Sequence, residues 1–328
     1  MQPPIQPDLF AEPEVKAQAP DRKVLVGTCS WSDPSLIKSK AFYPKGTSSA
    51  EARLRYYASQ FPVVEVDSSF FAMPSPTNSA LWVERTPKAF AFTMKAFRFL
   101  TGHQTPTEVF PPDIQPLLPP LHGRSKNHYY ADVPEEIRAE IWRRFHLALA
   151  PLRAAGKLKA AHFQFAPWVT SSRDWRDHVE MCVARMAGYQ VAVEFRNKSW
   201  LDADHVGSTL AWERELGVVH TIVDEPQEVG NYAHSVWDVT HPDLAIVRLH
   251  GRNADTWDKK GLSASSERFD YEYTDSELIE LARRIEGVMN LAGLVIVLLN
   301  VNKEDQGIRA ARKLQQILDA SERVLASR

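Results

Sequence analysis

Eight short apolar runs, separated by segments with helical periodicity, constrain the fold of this 328-residue chain more than any other feature. Most of the runs are continuously apolar at their centres, as strands covered on both faces must be. The runs are Val24–Thr28, Val63–Asp67, Phe90–Lys95, Lys159–Phe165, Gln190–Phe195, Val218–Val223, Ala245–His250 and Leu294–Asn300. Strands that alternate with helices in this way form a parallel sheet with right-handed crossovers.

The segments between the runs predict the outer helices. They are Ser48–Phe61, Pro134–Ala155, Arg173–Ala187, Asp202–Leu216, Asp275–Leu291 and Lys303–Ser327. Eight strands favour a closed (β/α)8 barrel of the TIM type, and an open doubly wound sheet is the alternative. No G-x-G-x-x-G turn follows the first run, which argues against the dinucleotide-binding form of that alternative. Residues 224–244 carry no helical period, so we expect one outer helix to be missing between strands six and seven; residues 104–133 predict a long loop.

The chain divides into a short tail and one domain. Residues 1–22 are rich in proline and lack an apolar period, which predicts a disordered tail before a single barrel domain over residues 23–328. A net charge of -2 argues against a protein that is basic over its whole surface. With no long apolar run, no signal peptide and only two cysteines, we expect a cytoplasmic protein with no membrane partner.

Nearly every predicted strand ends in polar or charged residues, and barrel enzymes carry their active sites at these ends. The residues at these ends are Cys29, Ser30, Trp31, Glu65, Asp67, Lys95, Gln164, Glu194, Arg196, Asp224, Arg248, His250 and Asn300. Side chains two apart on a strand share a face, so several of these pairs point into the barrel mouth together. Burying such groups without partners is costly, so they must meet one another, water or a ligand.

Two interpretations of this polar mouth remain open. In the first, Lys95, Arg196 and Arg248 bind an anion, because arginine matches phosphate geometry bidentately. Four polar residues complete that ligand site: Gln164, Asp67, Asn300 and His250. Two aromatic residues would stack on the ligand: Trp31 and Trp257. In the second, the charges form an internal network of ion pairs that closes the barrel, in which Arg196 pairs with Glu65 and Arg248 pairs with Glu194.

Acid–base chemistry is also consistent with these residues. Glu194 is a candidate base if burial raises its pKa, although a neighbouring arginine would lower it. His250 is the obvious proton shuttle, and Glu65 is the third catalytic candidate. Cys29 is interpreted as a packed small side chain rather than a nucleophile. We expect no bound metal or cofactor, since no H-x-x-x-H or H-E-x-x-H spacing occurs and the arginines compete for the carboxylates.

Several motifs, in a fixed order, carry a family resemblance. They are Gly27–Trp31, Phe42–Pro44, Val64–Phe71, Met73–Ser75, Trp82, Thr86–Pro87, Phe90–Lys95, Glu194–Arg196, Ser199–Trp200 and Arg248–Arg252. Together they resemble the DUF72 family, the YecE-like proteins of unestablished function, over about residues 24 to 320. The resemblance implies a TIM-type barrel similar to endonuclease IV and the xylose isomerase-like barrels. For an enzyme it implies a phosphoesterase like endonuclease IV, with a divalent metal, or a sugar isomerase or lyase.

The sequence therefore predicts a barrel that binds a phosphate-bearing ligand at its C-terminal face: single-stranded nucleic acid, a nucleotide or a sugar phosphate. The alternatives are a small-molecule enzyme acting on a sugar and a non-catalytic module associated with DNA. The second alternative depends on the tail, where Gln6, Leu9 and Phe10 resemble the Gln-x-x-Leu-Phe peptide that binds the bacterial sliding clamp. A disordered segment can offer such apolar anchors to a pocket, but an inert tail is the competing interpretation.

Overall fold

Eight parallel strands close into a barrel in the computed structural model, which describes residues 24–326 except 124, 227–232 and 258–264. The strands are β1 Val24–Thr28, β2 Val63–Val66, β3 Ala91–Lys95, β4 Leu158–Gln164, β5 Val191–Glu194, β6 Val219–Asp224, β7 Leu244–Leu249 and β8 Leu294–Leu299. Every strand pairs with its neighbours in sequence, and β8 pairs with β1. The TIM-type barrel is confirmed. The predicted tail, with Gln6, Leu9 and Phe10, lies outside the described residues.

The helices surround this barrel. They are α1 Pro34–Ser39, α2 Ala50–Gln60, α3 Pro76–Glu84, α4 Glu135–Ala154, α5 Arg173–Arg185, α6 Val206–Leu216, α7 Ala254–Trp257, α8 Ser265–Arg268, α9 Asp275–Met289 and α10 Gln306–Ala326. The sequence analysis missed four short helices. Two of them, α1 and α3, begin with proline, and the other two, α7 and α8, span four residues each. The described residues between β6 and β7 hold no helix, as predicted. No helix in the described part of the chain is both long and apolar enough to cross a lipid bilayer.

The inward-facing side chains of the barrel form two layers of opposite chemistry. The lower layer is small and apolar: Val63, Ala91, Ala160, Ala192, Val219, Ile246 and Ile296. Two residues further along six of these strands, the next inward positions are polar: Glu65, Thr93, His162, Glu194, Thr221 and Arg248. This step of two follows from strand geometry, in which alternate side chains share a face. The apolar layer seals the barrel floor, and the polar layer begins its C-terminal mouth.

The seam between β1 and β2 is held partly by a side chain. These strands share one paired position, whereas β1 and β8 share five. Tyr57 of α2 is fully buried, and its hydroxyl lies 2.9 Å from the amide nitrogen of Thr28 and 3.1 Å from the carbonyl oxygen of Val63. At Gly27 a Cβ would lie 2.1 Å from the same Val63 carbonyl oxygen. Glycine is therefore required for this close approach of two strands.

Candidate functional site at the barrel mouth

The guanidinium of Arg248 lies at the centre of the polar layer. Its Nη1 donates to Oε2 of Glu194 at 2.6 Å, and its Nη2 donates to Oε1 of Glu65 at 2.7 Å. Nη1 also reaches Oε1 of Gln164 at 3.2 Å. Arg248 and both glutamates have no solvent-exposed surface. The predicted contact between Arg248 and Glu194 is confirmed, and Glu65 is a second partner of the same arginine.

His162 completes this buried network, and the sequence analysis missed it. Its Nδ1 lies 3.0 Å from Oε2 of Glu65, and its Nε2 lies 3.4 Å from Oε2 of Glu194. His162 is fully buried on β4, between the two carboxylates. Its spacing of two from Gln164 was the signal that could have found it, because both side chains must then face the barrel interior.

Both buried glutamates stay ionised. Burial alone would raise the pKa of Glu194, but Arg248, His162 and His250 outweigh it and hold that pKa well below its ordinary range. Arg248 and His162 likewise lower the pKa of Glu65. The condition under which Glu194 would act as a base, a raised pKa, is therefore not met. The physical reason is the direct contact with a buried guanidinium.

Arg196 lies above this network, and its predicted pairing with Glu65 is wrong. Its Nη1 lies 3.0 Å from Oε1 of Glu194 and 2.8 Å from Oε2 of Glu225. Glu65 lies one inward layer deeper and on the far side of Arg248, which explains the error. Burial raises the pKa of Glu225 to about 7, although Arg196 acts in the opposite direction. Glu225, which sequence reasoning also missed, is thus a carboxyl poised to exchange a proton near neutrality.

His250 is held neutral beside the network. Burial lowers its pKa to about 3, and its Nδ1 lies 2.7 Å from Nδ2 of Asn300. Nε2 lies 3.7 Å from Oε1 of Glu194 and 3.4 Å from Nη1 of Arg248. His250 and Asn300 are therefore brought together with the predicted site.

A second group of cations lines the mouth on the β3 side. Nζ of Lys95 lies 2.8 Å from Oδ1 of Asp67 and 4.6 Å from the centre of the Phe70 ring. Arg98, in the 3₁₀ turn that follows β3, places its guanidinium 5.5 Å from the same ring. In the described part of the chain no carboxylate pairs with Arg98, and its Nε is buried without a partner. Burial lowers the pKa of this arginine, which sequence reasoning did not single out.

His103 marks the point where these cations converge. Burial is the main cause that lowers its pKa to about 3, and three cations add to the shift: Lys95, Arg98 and Arg196. Its Nδ1 lies 2.9 Å from Oγ1 of Thr101, so the neutral ring has a hydrogen-bond partner. A neutral histidine among three cations indicates a local positive field at the mouth.

The aromatic residues expected to stack on a ligand are buried. Trp31 packs edge-on against Trp82 at 5.5 Å, and Trp257 covers the guanidinium of Arg196 at 5.4 Å. Neither ring offers an open face in this structure, because a large apolar side chain gains more from burial in the rim. Trp168 is instead 44% exposed, beside His103 at 5.9 Å.

Cys29 is packed as predicted. It is buried, and its Sγ is 3.7 Å from Nη2 of Arg248. Burial and the neighbouring Glu65 raise the pKa of its thiol well above the ordinary value, so the thiolate needed of a nucleophile is disfavoured.

A divalent metal centre, which the family resemblance implied for an enzyme, does not fit these residues. The carboxylates that would serve as ligands, Glu65 and Glu194, are both taken by the guanidinium of Arg248. Across the described residues no cluster of three or more His, Cys, Asp or Glu side chains has an arrangement suited to a metal ion.

Known protein sequences match this chain over most of its length. The family model described as "Protein of unknown function DUF72" matches residues 25–328. The chain belongs to the DUF72 family. A curated relative, the UPF0759 protein YunF of Bacillus subtilis, is 28% identical over 307 residues, which cover 93% of this chain and 98% of YunF.

Solved DUF72 structures share the fold. A DUF72 protein of Enterococcus faecalis is 26% identical, with a TM-score of 0.73 over 90% of this chain and 95% of that chain. Another from Thermotoga maritima is 24% identical, with a TM-score of 0.69 over 91% of this chain and 100% of that chain. These DUF72 barrels extend over nearly the whole domain described above.

Proposed function

We propose that this DUF72 protein binds a small phosphate-bearing ligand at the C-terminal mouth of its barrel. The observation that carries this proposal is Arg98, a partly buried guanidinium that no carboxylate neutralises in the described part of the chain. A desolvated cation without a counter-ion is unfavourable, and an anionic ligand would supply that counter-ion. Arginine is the residue best suited to a phosphate, because its fork matches two phosphate oxygens.

The neighbours of Arg98 support an anion rather than a cation. The charges of Lys95 and Arg196, like that of Arg98, lower the pKa of His103. Asp67 neutralises Lys95, and Arg196 shares its charge with Glu194 and the readily protonated Glu225. With Glu225 protonated these groups carry one net positive charge, and that charge resides on Arg98, because carboxylates pair with the other two cations.

The role of Arg248 in this proposal differs from the one that the strand ends suggested. Both of its Nη atoms are engaged, and it has no exposed surface. Arg248 is thus a positioning residue, which holds Glu194 under Arg196. The ligand contacts fall to Arg98, Lys95 and Arg196, at the level above.

Replacing Arg98 tests the proposal. Inorganic phosphate and a nucleoside monophosphate are titrated into wild type and Arg98→Gln by calorimetry. We expect Arg98→Gln to weaken phosphate binding about tenfold or more, the loss of a charge-assisted hydrogen bond. The melting temperature should not fall, since no native ion pair is lost.

Arg214→Gln is the matched control, because that arginine pairs with Asp238 on the exposed surface. It should bind phosphate as wild type does. Equal affinity of wild type and Arg98→Gln for phosphate-bearing ligands, or no binding of any of them to wild type at low salt, would reject the proposal. A short oligothymidylate is tested alongside: binding that falls steeply with salt indicates single-stranded nucleic acid as the phosphate source.

A further inference from the structure

A cavity of about 250 Å³ opens beside the cations, at the ends of β1, β2 and β8. Its polar lining consists of hydroxyl, carboxylate and amide groups, among them Ser30, Asp33, Asp67, Asn300 and Asn302. Within the described residues this lining contains no lysine, arginine or histidine. The cavity is therefore unsuited to phosphate, although it adjoins the site where we propose that phosphate binds.

Two asparagine amide oxygens belong to the residues that line this cavity. Oδ1 of Asn302 is buried with no partner in the described part of the chain. Nδ2 of Asn300 is engaged with His250, so its Oδ1 is the amide atom that remains for a guest. A buried acceptor without a donor is costly, so the cavity suits a guest that carries hydrogen-bond donors. Hydroxyl groups supply donors without adding charge.

The opposite wall of the cavity is apolar. Leu36 and Ile308 are buried there, and Phe71 stands at the rim with 52% of its surface exposed. Apolar walls with a few placed polar groups are the usual character of small-molecule sites. The volume lies just below the range of about 300–1,000 Å³ typical of drug-sized ligands. A single sugar-sized ring, with C–H faces and several hydroxyls, matches both walls.

One short turn joins this cavity to the cations. The 3₁₀ turn Asp67–Phe70 follows β2 directly. Asp67 lines the cavity and accepts a hydrogen bond from Lys95. At the other end of the turn, the Phe70 ring lies beneath Lys95 and Arg98. The cavity and the anion site are therefore adjacent parts of one mouth.

We infer that the ligand is a monosaccharide phosphate, with its hydroxyl-bearing ring in this cavity and its phosphate against Arg98 and Lys95. This inference rests on the proposed function and names the class of ligand. Asn300 and Asn302 accept hydrogen bonds from the sugar hydroxyls, and Phe71 covers an apolar face of the ring.

Cavity variants separate the sugar contacts from the phosphate contacts. A panel of pentose and hexose monophosphates, the corresponding free sugars and inorganic phosphate are titrated into wild type by calorimetry. At least one sugar phosphate should bind tenfold or more tightly than inorganic phosphate. Ser68→Leu fills the cavity from an exposed position, and Asn302→Ala removes an acceptor. Both variants should abolish that preference and leave the affinity for inorganic phosphate unchanged.

The controls distinguish failure of this inference from failure of the proposed function. Ser59→Leu, at the C-terminal end of α2 and so on the opposite face of the barrel, should behave as wild type. Arg98→Gln should weaken binding of phosphate and sugar phosphate together. A sugar phosphate preference that survives Ser68→Leu, or no preference in wild type, overturns the inference while phosphate binding stands. If inorganic phosphate and every sugar phosphate fail to bind, both proposals fall.

Discussion

The Arg248→Met variant should lose about 3–5 kcal/mol of unfolding free energy, measured by urea denaturation, if it folds at all. The arginine is fully buried and binds the carboxylates of Glu65 and Glu194 at 2.7 and 2.6 Å. Methionine fills a similar volume but leaves two buried negative charges without a counter-ion. The loss comes from these orphaned charges rather than from a cavity.

A triple variant that also removes the two negative charges, together with a surface control, tests this prediction. Combining Arg248→Met with Glu65→Gln and Glu194→Gln removes both orphaned charges and should recover a large part of the lost stability. Arg214→Met breaks an ion pair whose two side chains are 44% and 43% exposed, and it should cost less than about 1 kcal/mol. A cost for Arg248→Met no larger than that of Arg214→Met would show that the buried network does not support the fold.

Acidification should destabilise the protein progressively between about pH 6.5 and pH 3. Burial lowers the pKa of His103 and of His250 to about 3 in the folded chain, whereas an unfolded histidine titrates near 6.5. Between these pH values the unfolded chain binds two protons that the folded chain does not bind, so stability falls as the pH falls. Their stabilising contribution is complete above this window.

Over part of this pH range, Glu225 has the opposite effect on stability to that of His103 and His250. Its pKa is raised to about 7 in the folded state, mainly by burial, so the folded chain holds a proton that the unfolded chain releases down to about pH 4.5. The net difference for these three groups is thus one proton between about pH 6.5 and 4.5, roughly 1 kcal/mol per pH unit. Below about pH 4.5, Glu225 no longer offsets the effect of the histidines. The lowered pKa values of Glu65 and Glu194 then make the loss of stability with falling pH steeper.

Melting temperatures of wild type and histidine variants across pH 3 to 8 check this profile. His103→Gln and His250→Gln should each flatten the slope between about pH 6.5 and 3, because glutamine does not titrate. His122→Gln, at an exposed loop position, should reproduce the wild-type curve. Parallel curves for wild type and the two buried variants would contradict the prediction.

The polar strand ends could be predicted because they depend only on local geometry. Glu194 and Arg248 were recognisable as polar residues that follow apolar runs, and the inward face follows from a period of two. His162 obeys the same rule but stands one step below the strand end, so a search confined to strand ends missed it. Arg98, His103 and Glu225 lie in the connections after their strands, where no periodicity indicates which way a side chain points.

The amino-acid sequence by itself determined the barrel and the polar strand ends at its mouth. Apolar runs that alternate with amphipathic helices have few ways to bury their apolar surface. The pairing of charges was decided only by the tertiary structure. Glu65 and Arg248 are 183 residues apart in the chain, and only closure of the barrel brings them to 2.7 Å. Among the residues that the structure describes, the same packing places no carboxylate beside Arg98, which is why this cation is left for a ligand in our proposal.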